Sequence, residues 1–181
     1  MDAHRLVRIS KYLSKHLRHQ PERLGLQLQP GGWVPVADLL AACAAHQFPV
    51  TKTELAEVVA GNDKQRFAFD ATGQLIRANQ GHSVAVDLQL EPAQPPAVLY
   101  HGTAEQNVPL ILASGLRKMA RHHVHLSSDL ATARKVGARR GRVVVFKVDA
   151  AGLAAAGAPF YLSANGIWLV DAVPPAYLRQ L

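Results

Sequence analysis

Apolar residues recur at Leu6, Ile9, Leu13 and Leu17, a spacing that gathers them on one stripe of a helix. Arg8, Lys11, Lys15 and Arg18 fall on roughly the opposite face. Proline has no backbone donor, so Pro21 is expected to stop this helix within a residue or two of His19. Gly31-Gly32-Trp33-Val34-Pro35-Val36 reads as a turn into a short extended stretch, and residues 38–46 as a second helix. Thr51-Lys52-Thr53-Glu54 has the form of a capping box and opens a third helix that ends near Gly61-Asn62. Arg66-Phe67-Ala68-Phe69 and Leu75-Ile76-Arg77-Ala78 flank the turn residues Asp70-Ala71-Thr72-Gly73, which predicts a β-hairpin. Three helices followed by a hairpin suggest a winged-helix lobe.

Glu91-Pro92-Ala93-Gln94-Pro95-Pro96 interrupts this pattern with three prolines in six residues. It reads as an extended linker (91–96) between a first lobe, 1–90, and a second, 97–181. The second lobe is richer in strands, with candidates at Val98-Leu99-Tyr100, Val124-His125-Leu126 and residues 143–148. Phe160-Tyr161-Leu162 and Ile167-Trp168-Leu169-Val170 are expected to pair around Asn165-Gly166. A helix is expected between Thr103 and Gly115, starting nearer Asn107 because Pro109 is awkward mid-helix, and another from Ser128 to Gly137. The fold class expected is α+β, with the second lobe a compact sandwich.

Hydrophobic residues make up 49% of the 181, enough for a packed core. The formal charge of +7 favours polyanionic partners such as nucleic acid or phosphorylated ligands. The single cysteine, Cys43, excludes an internal disulfide, and its apolar neighbours predict a buried thiol. No signal peptide or membrane-length apolar run is evident, so a reducing cytoplasm is expected, with no membrane association. His101, His122, His123 and His125 cluster without acidic or cysteine partners at zinc-like spacing, so no metal is expected. No GxGxxG fingerprint occurs, which argues against a Rossmann mode of dinucleotide binding. Arg139-Arg140-Gly141-Arg142 is a separate basic run, either a solvated loop or a contact to RNA backbone.

Seven segments taken together carry a resemblance. They are Leu13-Ser14-Lys15-His16-Leu17-Arg18-His19, Gly31-Gly32-Trp33-Val34, Asp63-Lys64-Gln65-Arg66-Phe67, and Ile76-Arg77-Ala78-Asn79-Gln80-Gly81-His82-Ser83 in the first lobe. Leu99-Tyr100-His101-Gly102-Thr103, Arg121-His122-His123-Val124-His125-Leu126-Ser127 and Asn165-Gly166-Ile167-Trp168-Leu169 follow in the second. In order and spacing they resemble the RNA 2′-phosphotransferase family, known from tRNA splicing and also found in bacteria and archaea. The resemblance implies a winged-helix-like RNA lobe joined to an ADP-ribosyltransferase-like split β-sandwich lobe. It implies an NAD⁺-dependent enzyme, with NAD⁺ as co-substrate and a tRNA-like RNA bearing an internal 2′-phosphate as substrate. The products would be 2′-hydroxyl RNA, nicotinamide and ADP-ribose 1″,2″-cyclic phosphate. A monomer with no obligate protein partner is expected.

The same resemblance assigns catalytic roles to Arg18, His19, Arg66 and Arg121, meeting in a cleft between the lobes. Guanidinium forks suit this task because they bind phosphate oxygens bidentately and stay charged. His101, Gly102, Thr103, His125 and Ser127 are implied to hold NAD⁺, Gly102 by letting backbone approach the ligand. Thr103-Ala104-Glu105-Gln106 also reads as a capping box. Lys15, Gln80, His82 and Ser83 are implied near the RNA or its phosphate. Two other readings stay open: an ADP-ribosyltransferase that modifies phosphorylated nucleic-acid ends, and a winged-helix nucleic-acid-binding regulator with a sensor lobe.

Overall fold

Helix α1 spans Ala3–His19, and Asp2 caps it by accepting from the Arg5 amide at 2.8 Å. Its apolar stripe is buried through Ile9, Leu13 and Leu17, and the chain leaves it at Gln20 just before Pro21. The computed structural model describes residues 2–61, 65–138 and 141–181. It divides into two units, Met1–Gln89 and Leu90–Leu181. Asn62, Asp63 and Lys64, and the Arg139-Arg140 part of the basic run, lie outside the described residues.

In the first unit α2 is Val36–Ala45 and α3 is Lys52–Ala60. The helix expected at 38–46 thus opens two residues earlier, directly behind Pro35, which is its N-cap. The capping box forms: the Thr51 hydroxyl accepts from the Glu54 amide, and Glu54 accepts from the Thr51 amide. Strands β1 (Trp33–Pro35), β2 (Phe67–Phe69) and β3 (Leu75–Ala78) make an antiparallel sheet in the order β1-β3-β2. Asp70 closes the hairpin by accepting from the Leu75 amide at 2.8 Å. Leu39, Leu55, Phe67 and Ile76 join the α1 stripe in one core. Cys43 lies inside it, and burial pushes its thiol up to about 11.

In the second unit β4 (Val98–Ala104) pairs with β7 (Val143–Asp149) along seven residues, and β11 (Leu178–Gln180) flanks β7. A second antiparallel sheet has the order β6 (Val124–Leu126), β9 (Trp168–Val170), β8 (Phe160–Leu162). The short strands β5 (Leu116–Arg117) and β10 (Ala172–Val173) pair with each other. Helices α4 (Val108–Ser114), α5 (Leu130–Gly137) and α6 (Ala150–Ala155) complete the unit. The main chains of Tyr100 and Ser127 exchange two hydrogen bonds of 2.8 Å, tying β4 to the residue after β6. The fold is α+β, with several small antiparallel sheets.

One expectation is corrected here. Thr103 caps no helix: β4 continues through Ala104, and Thr103 pairs with Val144. Ladder bonds to β7 outcompete a local cap, and a 3-10 turn at Glu105–Asn107 comes before α4. Pro109 sits in the first turn of α4, where its missing N–H costs nothing. Within the proline-rich stretch the Ala93 amide donates to the Phe160 carbonyl at 2.7 Å and Pro92 bridges Tyr161. Among the described residues, no helix is long and apolar enough to cross a membrane.

Candidate functional site

The polar cluster of the first unit forms where α1 ends. Arg18 and His19 occupy its last turn, where cations face the negative end of the helix dipole. Arg18 Nη2 donates to the Arg66 carbonyl at 3.4 Å, and its guanidinium carbon lies 6.0 Å from the centre of the Phe67 ring. The loop after β3 then folds over this end. Ser83 N donates to the Arg18 carbonyl at 2.9 Å, and Ser83 Oγ lies 2.9 Å from His19 Nδ1. Gly81 has φ +88°, and a Cβ there would lie 3.6 Å from Arg18 Nη1. Glycine supplies the left-handed turn that brings Ser83 back to the helix.

Arg66 is anchored along its length. Its carbonyl accepts from the Asn79 amide at 2.9 Å, and its Nη1 donates to Ser10 Oγ at 3.3 Å. Ser10 and Asn79 are both buried, and sequence reasoning assigned neither. Ser10 was detectable as a hydroxyl adjoining the apolar stripe of α1, a place that demands a partner. Arg18, His19, Arg66 and Ser83 are therefore brought together within this unit. Lys15 lies one turn earlier on α1, exposed, and Gln80 is half-buried. His82 is fully buried, with Gly32 against its ring: a Cβ on Gly32 would lie 3.5 Å from His82 Nε2. Burial packs this ring within the first unit.

In the second unit Arg121, His125 and His101 form a chain of contacts. Arg121 Nη1 lies 2.7 Å from His125 Nδ1, and a guanidinium can only donate, so that nitrogen is the acceptor. His101 Nδ1 lies 3.0 Å from the His125 carbonyl, which can only accept, so the His101 proton sits on Nδ1. Burial holds the His101 ring below the usual imidazole range, opposed by that carbonyl bond and reinforced by the charge of Arg121. Its Nε2 is accordingly an acceptor at neutral pH. The Thr103 hydroxyl accepts from Asn107 Nδ2 at 3.1 Å, and Ser127 is buried with its main chain bonded to Tyr100.

Gly102 is also required by packing within the unit. A Cβ there would lie 1.7 Å from the Ala133 carbonyl oxygen and 3.1 Å from the Gly137 amide nitrogen. Gly137 is equally constrained, since its Cβ would meet the Thr103 nitrogen at 2.8 Å. Two glycines thus let α5 lie directly on β4, and the close approach at Gly102 is to a helix. A surface cavity lined by Arg134, Arg142, Val144 and Leu181 contains none of the expected site residues. Among the described residues no group of three or more His, Cys, Asp or Glu side chains is placed to hold a metal ion.

These features can be set beside known proteins. The family model of the RNA 2′-phosphotransferases, Tpt1 / KptA family, matches residues 4–172. A protein of Trichormus variabilis named probable RNA 2′-phosphotransferase is 62% identical over 181 residues, covering all of both chains. Proteins of the same name are 62% identical in Herpetosiphon aurantiacus, over 98% of each chain, and 58% identical in Streptomyces griseus, again over 98% of each. The chain belongs to the RNA 2′-phosphotransferase family.

Proposed function

We propose that this protein is an NAD⁺-dependent RNA 2′-phosphotransferase, in which a winged-helix-like first unit binds RNA and an ADP-ribosyltransferase-like second unit binds NAD⁺. The observation that carries the reading is the gathering of Arg18, His19, Arg66 and Ser83 at the end of α1, in a chain of this family. The three helices and β1-β3-β2 sheet of the first unit support the winged-helix comparison. The two three-stranded antiparallel sheets of the second support the other.

NAD⁺ fits the second unit by donor chemistry. Ribose hydroxyls need acceptors, and His101 Nε2 is one; a pyrophosphate needs cations, and Arg121 is one. Thr103 and Ser127 add hydroxyl groups within the same unit. NAD⁺ supplies an electrophilic anomeric carbon with nicotinamide as leaving group.

The chain's own residues then have distinct tasks. Arg18 and Arg66 hold the RNA 2′-phosphate, offsetting the repulsion between it and other phosphates and aiming one oxygen at that carbon. A new C–O bond forms as the bond to nicotinamide breaks. In the second step the neighbouring ribose hydroxyl attacks phosphorus, and the RNA 2′-oxygen leaves with a proton. His19 donates that proton from Nε2, its ring oriented through Nδ1 and the Ser83 hydroxyl.

Single-turnover analysis of His19→Ala with a 2′-phosphorylated RNA tests this division of labour. The ADP-ribosylated RNA intermediate should accumulate, because the second step is slowed more than the first. Equal slowing of both steps would remove His19 from the role of acid.

A further inference from the structure

The α1 helix carries five Lys or Arg residues between Ala3 and His19 and no Asp or Glu. At 100° per residue, Arg8, Lys11, Lys15, Arg18 and His19 fall within a sector of roughly 100°, opposite the Ile9-Leu13-Leu17 stripe. Arg8, Lys11 and Lys15 are exposed, and among the described residues none has an acidic partner. Arg5 shows the contrast. It lies off this sector and is held by Glu54, with Nε 2.9 Å from Oε1. An ordinary solvated face mixes both signs, and like charges at these spacings weaken an isolated helix. The sector also has direction. It leads from Arg8 to Arg18 and His19 over roughly 16 Å of helix, at about 1.5 Å per residue.

We infer that the Arg8-Lys11-Lys15 ridge of α1 binds the phosphate backbone of the RNA on one flank of the 2′-phosphate. The inference rests on the RNA-processing reading above, and it adds a specificity. Substrate length beyond the reacting nucleotide increases affinity, and it does so on one side only, because a single ridge leads away from the site. Point charges on flexible stems hold backbone phosphates without reading sequence, so the flank can be of any sequence. The partly aromatic edge of the ridge keeps Arg8 in place, its guanidinium carbon 5.8 Å from the centre of the Phe48 ring.

The test compares the protein with its Arg8→Gln/Lys11→Gln variant, by fluorescence anisotropy without NAD⁺ and by turnover with it. The RNAs are a dinucleotide carrying the internal 2′-phosphate and longer RNAs extended on the 5′ side or the 3′ side. For one of the two extended RNAs the variant should bind about tenfold more weakly at low salt. Two lost contacts at about 0.7 each should make its log K against log salt shallower by about 1.4. The dinucleotide, too short to reach Arg8 or Lys11, should bind and turn over unchanged. Equal losses for the dinucleotide and the extended RNAs, losses on both flanks alike, or no loss at all would overturn the inference. Failure of the enzymatic reading would look different: no RNA would be turned over by the unaltered protein, while the binding comparison would still decide the ridge.

Discussion

Replacing Gly102 with alanine separates packing from ligand binding as the reason for that glycine. The added Cβ would lie 1.7 Å from the Ala133 oxygen and 2.6 Å from its carbonyl carbon. Real Cβ atoms do not approach closer than 3.0 Å, so α5 must move off β4 by at least 1.3 Å. The obstacles are backbone atoms of a helix, which cannot rotate aside as a side chain would. Overpacking of a core costs about 1–3 kcal/mol, and this case belongs at the upper end, near 3 kcal/mol. For a unit of this size that lowers the melting temperature by on the order of 10 °C or more. Trp168 is buried in the second unit and Trp33 lies in the first, so a Trp33→Phe background makes fluorescence report the second unit alone. Urea and thermal melts of Trp33→Phe with and without Gly102→Ala give the comparison. An unchanged midpoint together with weakened NAD⁺ binding would refute the packing argument and return Gly102 to the ligand.

Other consequences can be measured independently. Glu54 is held down to about 2, first by the Arg5 hydrogen bond and then by the Thr51 amide, so its contribution to stability is complete above the ordinary carboxyl value of 4.5. It is lost as pH falls from there toward about 2, and Thr51→Ala should remove about 1 kcal/mol at neutral pH, read from urea melts. The buried Cys43 thiol should resist alkylation in the folded protein at pH 8 and react once urea unfolds it; rapid labelling without urea would contradict its burial. Ser10→Ala removes a partner of Arg66 Nη1 and should lower kcat/KM by about tenfold with little change in melting temperature. Arg66→Lys should lose on the order of 100-fold, since an ammonium lacks the guanidinium fork; full activity would mean simple point-charge binding there.

The parts of this molecule legible in the sequence are those set by local chemistry. The α1 stripe, the Thr51 capping box and the hairpin around Asp70 each depend on residues within a few positions of one another. Thr103 misled because its local pattern was real but weaker than a seven-residue ladder with a strand some 40 positions later. The packing need at Gly102 was hidden for the same reason: the helix that lies on it begins at Leu130. In the first unit, Arg18, His19 and Arg66 stood out by motif, whereas Ser10, which orients Arg66, is separated from it by 56 positions. His82 sits in a polar run beside Ser83, yet only one of the two faces outward. A single exposed turn hides that alternation from any reading of composition.

The central claim is that this chain moves a phosphoryl group from RNA to NAD⁺. The most direct measurement mixes the protein, NAD⁺ and an RNA with one internal 2′-phosphate, and identifies all products by mass. The account predicts RNA lacking that phosphate, together with nicotinamide and ADP-ribose cyclic phosphate in equal amounts. Phosphate released without NAD⁺, or a stable ADP-ribosylated RNA as the end product of the unaltered protein, would contradict it.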